Sequence, residues 1–144
     1  MSSVALPQSV CFIDSNVWIY ALTVQDDQTK TQQARDLISA QTSIVLSTQV
    51  VNEVCVNLLK KAKFTEEEIR DVADDFFSQY RVLEVDQAVM RRASLLREQH
   101  HLSFWDSLIV ASALASGAMA LYTEDMHDGL VIESLTIINP FRMS

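Results

Sequence analysis

Short apolar runs alternate with segments of helical periodicity along almost the whole chain, and that alternation restricts it to an α/β layer architecture. Residues 10–13 (VCFI), 43–47 (SIVLS), 81–85 (RVLEV) and 118–123 (AMALYT) read as strands, and 135–139 (LTIIN), just before Pro140, as a short fifth. Between them, 15–22, 29–41, 48–62, 65–80, 86–99 and 103–116 read as helices. Ala34, Leu37 and Ile38 share one face of the second of these. Ser47 or Thr48 can cap the third, Thr65 with Glu68 forms a capping box for the fourth, and Gly117 stops the last. Strands that alternate with helices in this way predict a mostly parallel sheet with helices on both faces.

The chain of 144 residues is expected to form a single domain, residues 1–144 with a core at about 10–141. A hydrophobic fraction of 49% and a charged fraction of 21% lie in the globular range, which argues against disorder. No apolar run approaches the ~18 residues of a membrane span. The opening residues lack the basic and apolar regions of a signal peptide, so a cytoplasmic location is expected. Cys11 and Cys55 sit among apolar residues without redox or metal spacing, as reduced core thiols do. His100, His101 and His127 also lack ligand spacing. A net charge of −8 opposes generic nucleic-acid binding and suits an acidic cation site or a basic protein partner.

The first strand stops on an aspartate, Asp14, where glycine or proline would have sufficed. In an open α/β sheet, ligands bind beyond the carboxyl ends of the strands, at the switch in strand order. Asp14 lies on that edge, as does Asp125 in the turn after the fourth strand. Helix starts fall there too, which places Glu53, in the second turn after the second strand, and Asp106, three residues after Ser103. Taken singly, each acid has an ordinary structural role. Asp14 can cap a helix, Asp106 can close a capping box, Glu53 can flank an apolar face, and Asp125 can decorate a turn. Their common edge singles them out. Two carboxylates ~5 Å apart repel by roughly 3 kcal/mol at an effective dielectric of about 20. A cluster of them must therefore take up protons or bind a cation. Hard oxygen donors without Cys or His select Mg²⁺, with Mn²⁺ as the alternative, and point to phosphodiester hydrolysis.

The segments FIDSNVWIYAL, STQVVNEV and FWDSLIVASALASGAMALYTED, in this order and spacing, resemble the PIN (PilT N-terminus) domain family, specifically the VapC-type toxin ribonucleases. The resemblance spans about residues 10–141. It implies a PIN-like fold with a five-stranded parallel sheet and an Mg²⁺-dependent endoribonuclease acting on RNA. The family's acidic quartet falls on Asp14, Glu53, Asp106 and Asp125, with Asp14 and Asp106 as the principal metal ligands. Its supporting polar positions fall on Ser15, with Asn16 next to it, and on Thr123. It further implies a homodimer held inactive by a small antitoxin. Glu124 and Asp128 are alternatives for the last acid. Lys60, Lys61 and Lys63, and Arg91, Arg92 and Arg97, are the candidates for RNA contact, with solvated faces as the competing reading. Trp18 and Trp105 are expected in core or dimer packing, with base stacking as the alternative. The non-enzymatic rival is a PIN-fold binding module without nuclease activity. A phosphoaspartate hydrolase is disfavoured, since Asn16 stands where that chemistry wants a second Asp.

Overall fold

The computed structural model describes residues 9–24 and 28–142. Its elements, in chain order, are β1 (Cys11–Ile13), α1 (Ser15–Leu22), α2 (Thr29–Ala40), β2 (Ile44–Ser47), α3 (Thr48–Lys60), α4 (Glu66–Gln79), β3 (Arg81–Leu83), α5 (Gln87–Gln99), α6 (Phe104–Ala115), β4 (Ala120–Tyr122), β5 (Val131–Ile132) and β6 (Leu135–Ile138). The sheet runs β3-β2-β1-β4-β6-β5. The first five of these strands are mutually parallel, as the alternation predicts, and helices flank the sheet.

One strand differs from expectation. The two-residue β5 adds an antiparallel edge to β6, making six strands rather than five. Two residues are too few to show alternation, and the turn between the strands uses Glu133 at φ 54 instead of the glycine that would have signalled it.

β1 and β2, at the middle of the sheet, are buried along their whole length. Phe12, Ile13, Leu46, Leu121 and Ile137 are wholly enclosed, each stabilising the fold by about 1.5–3 kcal/mol. Trp18 joins this core. Its indole N–H donates to the Ile13 carbonyl at 3.0 Å, and its ring meets Phe76 edge-on at 5.0 Å. Helix starts are fixed by side chains. Ser47 accepts from the Val50 N–H, and Thr65 with Glu68 completes both arms of the expected capping box. Gly117 ends α6 at φ 79, a conformation costly for any residue with a Cβ. Cys11 is buried and Cys55 half-buried, and both are free thiols. Among the described residues no helix is long and apolar enough to cross a membrane.

Candidate active site

From β1 the chain steps one way across the sheet to β2 and β3, and from β4 the other way to β6. The switch between β1 and β4 opens a crevice at their carboxyl ends. Asp14 follows β1 directly, and its N–H donates to the Tyr122 carbonyl at 3.0 Å, extending the ladder to the edge. Thr123 follows β4 at the same level.

Asp14 is 4% exposed. Its Oδ1 accepts from the Ser15 N–H at 2.7 Å and its Oδ2 from the Thr123 hydroxyl at 2.8 Å. Asp14 is thus the N-cap of α1, yet it bonds the first helical N–H rather than the second or third, where a capping side chain ordinarily reaches. The Ser15 hydroxyl donates to Glu53 Oε2 at 3.0 Å and lies 3.5 Å from Asp14 Oδ1, so one hydroxyl joins two carboxylates. Glu53 is held from its other side by the Gln49 amide, at 2.8 Å from Oε1.

Thr123 is the hub of the opposite wall. Its oxygen accepts from the Asn16 amide at 3.2 Å and from the Asp125 N–H at 3.2 Å, leaving its proton for Asp14. The Asn16 amide also donates to Asp125 Oδ2 at 2.9 Å. Asp14, Glu53 and Asp125 are therefore linked through three small polar residues. Asp106, in the first turn of α6, has its N–H on the Ser103 hydroxyl at 3.1 Å. It is coupled to the others by charge, through Asp125.

The electrostatics follow from this packing. Burial raises the Asp14 carboxyl to about 6; the bonds from Ser15 and Thr123 oppose the rise, and the charges of Glu53 and Asp125 add to it. Asp106 is also raised, first by burial and then by Asp125, against the Ser103 hydrogen bond.

The two alternatives for the last acid are engaged elsewhere. Glu124 bonds Lys30 at 2.9 Å and the Tyr20 hydroxyl at 2.8 Å. Asp128 accepts from the Asn139 N–H at 2.7 Å and pairs with Arg142 at 3.3 Å. Of the basic candidates, Arg92 pairs with Glu133, and Arg97 turns onto the Ser107 hydroxyl at 2.7 Å. Gln49, Lys30 and Tyr20 had no signal in the sequence, since their partners are fixed only by the fold. Trp105 does not enter the core; it stands 64% exposed one residue before Asp106.

Among the described residues, no three acidic, histidine or cysteine side chains converge as a ready-made ion cage. The donor set is nonetheless hard oxygen only, and each Asp14 oxygen accepts strongly from one donor while keeping capacity for more. A buried carboxyl raised toward neutrality is one that a nearby cation would stabilise in its charged form. Such a set could hold a hydrated divalent ion through one or two carboxylates, the way Mg²⁺ is commonly bound.

Comparisons with known proteins bear on the fold that carries these residues. A search of curated protein sequences returns no match. Among solved structures, a toxin–antitoxin complex from Klebsiella pneumoniae is similar at a TM-score of 0.71 and 20% identity, covering 92% of this chain and 99% of that one. A Mycobacterium tuberculosis VapC20 toxin that cleaves the sarcin–ricin loop is similar at 0.65 and 20% identity, covering 80% and 91%. A Rickettsia felis VapBC2 bound to a promoter DNA fragment is similar at 0.63 and 20% identity, covering 89% and 96%. At such identities these structures speak for the fold. The PIN domain family profile matches residues 11–127, most of the chain and every strand that borders the crevice. The chain belongs to the PIN domain family.

Proposed function

We propose that the protein is a metal-dependent endoribonuclease, the VapC-type toxin of a toxin–antitoxin pair, which works as a cytoplasmic homodimer and is held in check by a cognate antitoxin. The observation that carries this reading is the hydrogen-bonded chain from Thr123 through Asp14 and Ser15 to Glu53, which gathers acids from distant parts of the sequence at the strand switch. The toxin–antitoxin character of the structural relatives supports the same reading.

Asp14 and Asp106 would hold the principal Mg²⁺, directly or through water, while Glu53 and Asp125 complete the acidic pocket. When bound, the ion supplies activation of a water for in-line attack on phosphorus and neutralises charge on the departing oxygen. The chain's own residues set the geometry. Ser15 fixes Glu53 by donating to Oε2, Thr123 fixes Asp14, and Asn16 ties Asp125 to Thr123. Attack by water rather than by the ribose 2′-hydroxyl leaves 5′-phosphate and 3′-hydroxyl ends. Incubation of the purified protein with pooled cellular RNA tests this: cleavage with Mg²⁺ that stops on addition of EDTA is expected. Binding of an antitoxin-like partner with no cleavage under either condition would instead identify a non-catalytic PIN-fold module.

A further inference from the structure

Asp106 differs from the other three acids in how it is held. Hydrogen bonds from Ser15, Thr123, Gln49 and Asn16 fix the carboxylates of Asp14, Glu53 and Asp125 directly. Among the described residues, no hydrogen bond joins the Asp106 carboxylate to this network. Its place is set instead by the backbone of the first turn of α6.

One side chain of the preceding helix grips that turn. The Arg97 guanidinium, in the last turn of α5, donates to the Ser107 hydroxyl at 2.7 Å and stands over the Phe104 ring at 4.4 Å. It thus engages the residue two before Asp106 and the residue directly after it. Ser107 is wholly buried, and its hydroxyl donates to the Phe104 carbonyl at 2.6 Å. With that proton committed, the buried oxygen needs a donor, and Arg97 supplies it. The buried Val89, Ala93 and Leu96 anchor α5, so the guanidinium reaches across from a fixed base. A tie that only joined two helices could fall anywhere along them, whereas this one falls on the turn that carries Asp106. We propose that Arg97 is a positioning residue for Asp106, its grip on Ser107 and Phe104 fixing the carboxylate for the divalent ion. The inference rests on the metal-dependent nuclease reading and adds to it a residue outside the acidic quartet.

Binding of Mn²⁺ to the full chain without RNA, read as loss of the free-ion EPR signal, separates this role from a merely structural one. The sign is diagnostic. By charge alone, removing a cation beside the acids would tighten Mn²⁺ binding. Positioning predicts the opposite: Arg97→Met, which keeps the apolar stem, should weaken it about tenfold. Arg97→Lys, which can still donate to Ser107 but has no planar group to lay on Phe104, should restore part of the affinity. Ser107→Ala, the milder change, should weaken binding in the same direction and carries the test if Arg97→Met does not fold. Combining the two should cost nothing beyond Arg97→Met, since they act as one unit. KM for RNA at saturating Mn²⁺ should change little. Unchanged or tighter Mn²⁺ binding in a folded Arg97→Met chain would overturn the assignment, whatever its stability. So would a defect confined to KM, which would give the guanidinium to the RNA itself. Failure of the metal-centre reading would show separately, as absence of Mn²⁺ binding by the native chain.

Discussion

The hydroxyl of Thr123 donates to Asp14 Oδ2 at 2.8 Å, joining the ends of two parallel strands across 109 positions of sequence. The bond fixes the orientation of the most deeply buried acid of the site, and the same oxygen receives the Asn16 amide and the Asp125 N–H.

Replacing Thr123 with valine keeps the shape and removes all three bonds. RNA cleavage should fall about 10–100-fold, the range typical of residues that orient metal ligands. Stability should fall by about 1–3 kcal/mol as buried donors lose their acceptor. Thr123→Ser should retain most of both. Cleavage rates and urea midpoints of the two variants, measured side by side, check this.

The raised Asp14 carboxyl predicts an unusual pH response of the metal-free protein. Between the ordinary value of 3.8 and about 6, the folded chain binds a proton at Asp14 that the unfolded chain releases. This group's contribution is therefore favourable at low pH and is lost as pH rises through about 6. Asp14→Asn, which cannot titrate and is expected to be inactive, should lack the fall in stability that the native chain shows between pH 5 and 7.5 in EDTA. Divalent ions should stabilise only the native chain, and activity should decline below pH 6, where the proton competes with the ion. Denaturant titrations at pH 5 and 7.5, with and without Mg²⁺, read this directly.

Glu124 and Asp125 are neighbours with different commitments. Glu124 is tied to Lys30 and Tyr20, whereas Asp125 faces Asn16 and its charge reaches Asp14 and Asp106. Asp125→Asn should lower cleavage about tenfold, and Glu124→Gln should leave it within about threefold. The partly exposed Lys30–Glu124 pair should contribute no more than about 1 kcal/mol to stability. Steady-state rates with one RNA under saturating Mg²⁺ separate the two acids.

Much of this arrangement was legible in the sequence because it is written in local rules. An apolar run that breaks on Asp14 and the helix cap Ser103 three residues before Asp106 mark a strand end and a helix start, and such ends share an edge in a parallel sheet, whereas Thr123 is singled out only through the family resemblance. What stayed hidden depends on contacts between distant segments. Nothing near Glu124 reveals that Lys30, 94 positions away, withdraws it from the site. Nothing in the helical pattern around residue 105 distinguishes an exposed Trp105 from the buried Trp18, since both stand beside apolar neighbours. The β5–β6 hairpin escaped for a different reason: its strand is two residues long and its turn lacks glycine.

The central claim is that Asp106 belongs to a metal-dependent nuclease centre with Asp14, although no hydrogen bond joins the two. Its most direct test is cleavage of one RNA by the native chain and by Asp106→Asn, with matched folding established by circular dichroism and with product ends determined. Loss of cleavage in the variant, and EDTA-sensitive products bearing 5′-phosphates from the native chain, are predicted. Equal cleavage by both proteins, or products ending in a 2′,3′-cyclic phosphate, would contradict the account.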